Sequence, residues 1–290
     1  MSWWPLIKVL PIKTNLKFVS FAKYAAILST VLVLASLVGV FKPGLNMGID
    51  FRGGAVMELT KPGGQALDLE AVRHEPQARV VERVQAAITG AVGEVAYSGV
   101  SVVGSKVSGE LFTSGLLALG AAILLMFAYI WFRFEPQFGL GAVAGLLHDV
   151  ILVFGLIVLM RLEFSLNMVA AILTVIGYSM NDTVVVFDRL RENLRKYKQM
   201  PLREVIDLTI NEILTRTIIT GFTAVMVLAA LAYFGGPALF GFSIALMFGI
   251  VCGTYSSIYV GAPIILLWGV KRGGAADEAK PIKLGMASRP

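Results

Sequence analysis

Asp182 is the residue of this sequence with the clearest chemical potential, because it is an acid inside the apolar stretch 168–187. A charged carboxylate at the centre of a bilayer costs about 3 kcal/mol or more, so membrane proteins keep such acids mostly to bind an ion, move a proton or pair with another helix. Asn181 and Thr183 flank the acid, and Tyr178 lies one helical turn before it. The hydroxyls of Tyr178, Ser179 and Thr183 could support a chain of water molecules. The group favours proton transport, although a purely structural hydrogen bond between helices also explains it.

Arg216, at the start of a later apolar stretch, is a candidate counter-charge for Asp182. Burial favours the neutral carboxylic acid, and a nearby cation favours the carboxylate. A site that alternates between these environments can take up a proton on one side of a membrane and release it on the other. The alternative for Arg216 is that it only extends its side chain to the membrane interface.

His148 and Asp149 form a second polar pair near the middle of the apolar stretch 138–160. A buried histidine beside an acid can extend a proton path, since histidine changes its charge near neutral pH. The pair could equally bind a neighbouring helix, so both roles stay open.

The composition is that of an integral membrane protein, with 57% hydrophobic and only 15% charged residues. A helix needs roughly 20 apolar residues to cross a bilayer. Six stretches reach that length, at about 19–40, 112–132, 138–160, 165–187, 217–234 and 239–268. We therefore predict a polytopic α-helical membrane protein with six transmembrane helices.

Clusters of basic residues near the N-terminus, after the fourth stretch and at the C-terminus each border a predicted span. Nucleic-acid binding would also explain basic clusters, but the positive-inside rule accounts better for their positions. We expect both termini in the cytoplasm and no nucleic-acid partner. The first stretch is long and lacks a small-residue cleavage site, so 1–40 is interpreted as a cytoplasmic tail and a retained first helix rather than a signal peptide.

The segment 41–111 is predicted to form a small α+β domain outside the cytoplasm. Within it, 48–59 is interpreted as a short strand pair or a strand with a glycine bend, 68–88 as an amphipathic helix, and 94–107 as strands. A domain of this size has little core of its own, so we expect its stability to depend on a partner.

The region 112–270 is predicted to hold the other five spans, followed by a cytoplasmic tail at 271–290. Its charged loop, 188–215, begins as a continuation of the fourth helix, and Pro201 then interrupts that helix. The apolar spacing in 202–214 predicts an amphipathic helix that lies on the membrane surface or on neighbouring spans.

A stripe of small residues runs along the sixth stretch, where Gly249, Gly253, Ser257 and Gly261 recur every four residues. Such a stripe lets another helix approach closely, within this chain or in a partner. The sequence contains no P-loop, zinc-ligand spacing or nucleophile triad, so we expect no enzyme activity, no cofactor and no metal site.

A glycine-rich motif follows the first span and contains Gly48, Asp50, Phe51, Arg52, Gly53 and Gly54. Alone it is typical of a turn and strand start. Together with the segments 104–111, 175–183, 187–193 and 211–217, it resembles the motifs of the SecF family, in the family's order. Ser105 stands where the family motif carries proline. The resemblance extends from about residue 44 to residue 268.

The resemblance implies six spans, an extracytoplasmic domain after the first, and a pseudo-symmetric pairing with SecD related to RND-type exporters. It implies action beside the SecYEG channel of the bacterial inner membrane, where the proton gradient helps to pull unfolded preproteins across. The expected partners are SecD, SecYEG, the preprotein and the lipid bilayer, with an insertase and its accessory subunits as a further candidate. The family's proton-linked carboxylate and arginine correspond here to Asp182 and Arg216.

The resulting hypothesis is that Asp182 takes up and releases a proton and that the charge change shifts the packing of the spans. Two alternatives remain. One is half of an RND-type exporter of a small molecule or lipid, and the other is a passive scaffold of the channel complex. The scaffold predicts that the small-residue stripe is essential and that the acid is not.

Overall fold

The computed structural model describes residues 14–60, 90 and 96–269. The helix predicted at 68–88, the start of the N-terminal tail and the C-terminal tail 271–290 lie outside the described residues.

The described elements alternate long helices with very short strands. In chain order they are α1 (Phe18–Phe41), β1 (Asn46–Met47), α2 (Ile49–Arg52), β2 (Gly54–Thr60), β3 (Ala96–Val103), α3 (Ser105–Arg133), α4 (Pro136–Leu159), β4 (Glu163–Phe164), α5 (Leu166–Lys196), α6 (Leu202–Phe234), α7 (Gly236–Ser256), a π-helical turn (Ser257–Gly261) and α8 (Ala262–Trp268).

Six helices in the described part of the chain are long and apolar enough to cross a membrane, with α7, the π turn and α8 forming the sixth. The predicted six-span architecture is confirmed. Prolines mark several boundaries: Pro136 lies in the first turn of α4, and Pro201 precedes α6. Proline is favourable there because the first N–H groups of a helix have no intrahelical partner.

The bundle has central and peripheral helices. More than half of the apolar windows of α4 and α5 is buried within the chain, against 6% for α1, α3 and α6. The central core includes Phe138, Leu146, Ile172 and Phe187, all nearly inaccessible. Because apolar side chains on peripheral helices remain stable when they face lipid, α4, α5 and the sixth span are the elements that can enclose polar groups.

The residues 202–214 are helical as predicted, and of the two predicted positions the one on neighbouring spans is found; they are not a separate element, because they form the first turns of the continuous helix α6. No proline or glycine separates them from the apolar stretch that begins at 217. Their apolar face, including Val205, Ile206 and Ile210, is buried in the core rather than laid on a bilayer.

The lead-in of α6 also holds the beginning of α1. Asp207 Oδ1 accepts a hydrogen bond from the backbone N–H of Val19 at 2.9 Å. Asn211 bonds the backbone of Leu16 twice, as acceptor at 2.9 Å and as donor at 2.8 Å. Asp207 thus satisfies an N–H that the first turn of α1 leaves unpaired, and Asn211 holds Leu16, two residues before that helix begins.

The segment between the first two spans differs in detail from its prediction. The expected strand or strand pair at 48–59 is interrupted by the four-residue helix α2, with β2 following it. β2 pairs antiparallel with β3 from Gly54↔Val103 to Thr60↔Ala96. The strands predicted at 94–107 end at Val103, because the extended Gly104 begins the long helix α3. The predicted α+β domain as a whole stays a prediction.

Candidate functional site

Asp182 lies on the inner face of α5 and is only 6% exposed. Thr254 of α7 donates a hydrogen bond from Oγ1 to Asp182 Oδ2 at 3.3 Å. This is one weak neutral bond, whereas a buried carboxylate needs several good donors or a cation to stay charged at low cost. The geometry therefore suits a group that gains and loses a proton better than a permanent structural anion.

Arg216 does not form the direct counter-charge predicted for Asp182. The two residues interact electrostatically, but no ion pair joins them within the part of the chain that the structure describes. Arg216 is exposed near the start of the apolar part of α6. A cation that makes no direct ion pair can still favour the carboxylate form of Asp182 without fixing the position of its side chain.

The other predicted neighbours of Asp182 divide between the two faces of α5. Thr183 is buried at 2% exposure, and the half-buried Tyr178 lies within electrostatic range of the acid. Asn181 points outward and lines a groove of about 460 Å³ between α3 and α5, together with Tyr129. Asn181 is therefore adjacent to Asp182 in sequence, but its side chain lies on a different face of the helix.

Asp149 is the more deeply buried acid, with 0% exposure. Its Oδ2 accepts hydrogen bonds from Ser179 Oγ of α5 at 2.5 Å and from Ser256 Oγ of α7 at 2.7 Å. Its Oδ1 lies 3.0 Å from Nδ1 of His148. The carboxyl group is thus bonded to all three central elements of the bundle.

His148 extends this cluster toward α1. Its Nε2 lies 3.1 Å from Ser29 Oγ, which lies 3.0 Å from the hydroxyl of Tyr255. Tyr255 donates to the carbonyl oxygen of Ala25 at 2.9 Å, and its ring stacks on that of His148. A continuous hydrogen-bonded chain therefore runs from Asp149 to the backbone of the first span.

The two acids share supporting helices. On α7, Thr254 bonds Asp182 while Ser256 bonds Asp149. On α5, Ser179 bonds Asp149 one helical turn before Asp182. A change in the charge of either acid alters hydrogen bonds on α5 and α7, so the arrangement can convert protonation into a shift between these two helices.

The small-residue stripe brings α7 close enough for these bonds. Added Cβ atoms at Gly249 would overlap the side chain of Val175, and one at Gly253 would lie 3.0 Å from Ser179 Cβ. The sequence left open whether the stripe packs against a helix of this chain or of a partner. Gly249 and Gly253 pack against α5 of this chain.

The last two residues of the stripe, Ser257 and Gly261, belong to the π-helical turn. A Cβ on Gly261 would lie 3.2 Å from the ring of Phe187, and one on Gly141 only 2.7 Å from the carbonyl oxygen of Gly261. Ser257 Oγ donates to the carbonyl oxygen of Thr254 at 3.0 Å. π turns widen a helix locally and are often found at functional sites, and this one directly follows the hydroxyl groups that bond the acids.

The glycine-rich motif lies away from both acids, beside the Leu166 end of α5, whereas Asp182 lies near the middle of that helix. Gly53 and Gly54 have φ of 72° and 130°, backbone conformations that favour glycine. Arg52 is exposed and Phe51 is half-buried. Asp50 accepts a hydrogen bond from the backbone N–H of Leu166, the first residue of α5.

Comparison with known proteins identifies the family. Residues 83–271 match the family of the C-terminal region of protein export membrane proteins SecD and SecF, and residues 38–60 match the SecD/SecF GG motif. The chain belongs to the SecD/SecF family. It is 42% identical to the protein translocase subunit SecF of Cereibacter sphaeroides, over 94% of this chain and 96% of the relative. A SecF of Rickettsia akari is 38% identical over 92% of this chain and 96% of the relative.

Other SecD/SecF members are fused and longer. SecDF of Brucella abortus is 38% identical over 91% of this chain, which spans only 39% of that protein. A crystal structure of SecDF from Thermus thermophilus, described as a translocon-associated membrane protein, matches with a TM-score of 0.80 at 28% identity, covering 89% of this chain and 39% of that one. The family and the six-span fold predicted from sequence are confirmed.

Several site residues were missed from the sequence, namely Ser29, Thr254, Tyr255 and Ser256. The signal that could have revealed three of them is the run of hydroxyl residues at 254–257 in an otherwise apolar span. Hydroxyl groups are tolerated in membrane helices and are therefore weak signals alone.

Proposed function

We propose that this chain is a SecF-type subunit of the bacterial protein-export machinery that couples the proton gradient to late steps of preprotein translocation. The observation that carries the proposal is the buried Asp182, bonded by one threonine hydroxyl and free of a direct ion pair among the described residues. The relatives named as translocase subunits at up to 42% identity support the same function.

In this mechanism Asp182 alternates between carboxylate and carboxylic acid. The carboxylate accepts a hydrogen bond from Thr254, whereas the protonated acid can donate one, so the preferred position of α7 relative to α5 changes with the proton. Arg216 modulates the affinity for the proton from a distance, and Tyr178 and Thr183 offer hydroxyls near its path.

The cluster around Asp149 and His148 couples the same movement to the first span. Because Ser179 and Ser256 bond Asp149 from α5 and α7, a shift between these helices changes the environment of both acids. We assign these residues to the proton relay with Asp182.

The available energy is sufficient for such a movement. One proton yields about 2.3 kcal/mol from a potential of 100 mV, and each pH unit of gradient adds about 1.4 kcal/mol. One or two protons can therefore bias a packing change of a few kcal/mol between two states.

The proposed partners follow from the fused relatives. SecDF proteins are single chains of which this protein spans only 39%, and the remaining length supports a separate SecD companion for it. We further propose that the complex acts with SecYEG on unfolded preproteins in the inner membrane, with an insertase as an additional partner and both termini in the cytoplasm.

The direct test is purification from native membranes followed by reconstitution into vesicles with SecYEG. We expect a SecD-like protein to co-purify, and preprotein uptake to increase when a proton gradient is imposed only if the complex is present. A chain that purifies without such a companion and leaves gradient-driven uptake unchanged would contradict the proposal.

Replacing Asp149 with Asn gives a separate prediction. An amide oxygen can accept from both serines while its NH₂ donates to His148, so the packing should persist but the group can no longer titrate. We expect an unchanged melting temperature and a clear loss of gradient-driven transport. Asp149→Leu instead leaves Ser179 Oγ and His148 Nδ1 buried without that partner, each at a cost of about 1–3 kcal/mol, and should lower the melting temperature. Full transport in a stable Asp149→Asn variant would remove Asp149 from the relay.

A further inference from the structure

The motif 48–54 and strand β4 together form what we call the joint, at the Leu166 end of α5. β1 pairs parallel with β4 through Asn46↔Glu163 and Met47↔Phe164. The backbone N–H of Gly48 donates to the carbonyl oxygen of Phe164 at 3.0 Å. The segment that leads into the β2–β3 sheet is therefore bonded to the residues that immediately precede α5.

Asp50 caps α5 from outside that helix. Its Oδ2 accepts a hydrogen bond from the backbone N–H of Leu166 at 2.9 Å, whereas Ser165, at the usual capping position, makes no such bond with its side chain. A carboxylate is favourable here because the first N–H groups of a helix lack partners and carry partial positive charge. The local sequence of α5 omits its own cap, and a residue more than a hundred positions earlier supplies it.

Phe51 fixes the same joint through aromatic packing. Its ring centroid lies 5.5 Å from that of Phe112 on α3 and 5.5 Å from that of Phe164 on β4. Phe164 in turn contacts Phe154 of α4 at 5.9 Å. The rings connect the motif to α3, to α4 and to the strand β4 that immediately precedes α5.

Gly53 and Ser108 connect the joint to the sheet. Gly53 has a φ of 72°, a backbone conformation that favours glycine, and an added Cβ at this position would lie only 3.3 Å from Ser105 Cα. Ser108 Oγ bonds the carbonyl oxygens of Gly104 at 3.1 Å and Ile49 at 3.4 Å. β2 then begins at Gly54, paired with Val103.

From this geometry we propose that the joint transmits movement of α5 to the β2–β3 sheet, with Asp50 as the positioning residue that ties the two together. Asp182 lies on the same helix, about 24 Å along its axis from Leu166 at 1.5 Å per residue. A packed helix moves nearly as a rigid body, so a shift at Asp182 reaches its capped end. The inference rests on the proposed function, in which protonation of Asp182 drives that shift.

The experiment measures two quantities in vesicles that contain the complex with its SecD companion: proton entry, with a pH-sensitive dye, and gradient-driven preprotein transport. For Asp50→Ala we expect proton entry to stay within about twofold of the unsubstituted protein and transport to fall by about fivefold or more. Hydrogen exchange at the amides 166–169 should accelerate, because the cap is lost.

Two variants control for a general loss of structure. Asp50→Asn retains an oxygen that accepts from Leu166, so we expect it to keep most of the transport activity. Glu163→Ala removes a neighbouring acid of the same joint whose side chain has no hydrogen bond or ion pair among the described residues, and it keeps the backbone pairing of β4, so we expect transport to be unaffected.

Either of two results for Asp50→Ala would overturn the inference. Unchanged transport would show that the cap transmits nothing, and an equal loss of proton entry and transport would show a general structural role. In both cases the proposed function would stand, because it is tested by Asp182, whose replacement is expected to reduce proton entry and transport together.

Discussion

Asp182→Asn should abolish the gradient-driven part of preprotein transport, with a reduction of about tenfold or more, while the protein still assembles with its companion. Asparagine has nearly the same shape as aspartate, and its amide oxygen can accept the hydrogen bond from Thr254. It cannot take up or release a proton. The variant therefore separates the charge change from the packing, and the measurement is transport with and without an imposed gradient.

The matched control is Asp188→Asn, the same change on the same helix. Asp188 is partly exposed and pairs with Arg133 at 2.7 Å, an exposed ion pair of the kind that contributes about 0–1 kcal/mol. We expect its transport activity to match that of the unsubstituted protein. If Asp182→Asn is equally active in a stably assembled complex, the relay is wrong and the passive scaffold is the better explanation.

Gly249→Leu should have the largest effect on stability. Even a Cβ at this position overlaps the side chain of Val175, so α7 must move away from α5. Overpacking of this kind costs typically 1–3 kcal/mol, which corresponds to a melting temperature lower by about 2–12 °C. Separation of the helices also pulls Thr254 away from Asp182, so we expect transport to fall with or without a gradient.

Gly120→Leu on α3 is the control for the added side chain. A Cβ at Gly120 meets no other atom of the described chain within 4 Å. The leucine should face lipid or a partner, with a melting temperature close to that of the unsubstituted protein in detergent. Equal stability of both variants would contradict the close α5–α7 packing.

The spans and the two acids were predictable because their signals are local. Six stretches exceed the length that a bilayer requires, and an acid such as Asp182 or Asp149 is conspicuous in any apolar stretch. The family resemblance rested on motifs such as 48–54, whose residues are distinctive in sequence.

The sequence could not predict how each helix is rotated about its axis, and therefore which side chains face a neighbouring helix. Asn181 and Ser179 both precede Asp182 within one helical turn, yet Asn181 faces a groove and Ser179 bonds Asp149. Whether Thr254 faces Asp182 depends on how closely α7 approaches α5, which glycine spacing suggests but does not orient. The cap on α5 was equally hidden, since Asp50 and Leu166 are joined only by the tertiary fold.

The bonds from the lead-in of α6 to α1 have a consequence for biogenesis. The N–H of Val19 and the backbone of Leu16 find their partners in Asp207 and Asn211, which the ribosome makes almost two hundred residues later. We therefore expect α1 to enter the bilayer with the N–H groups of its first turn unpaired. Its final position should be set only when α6, the fifth span, has been inserted. A ribosome stalled before that point should leave the first helix open to exchange with lipid and accessible to insertion factors.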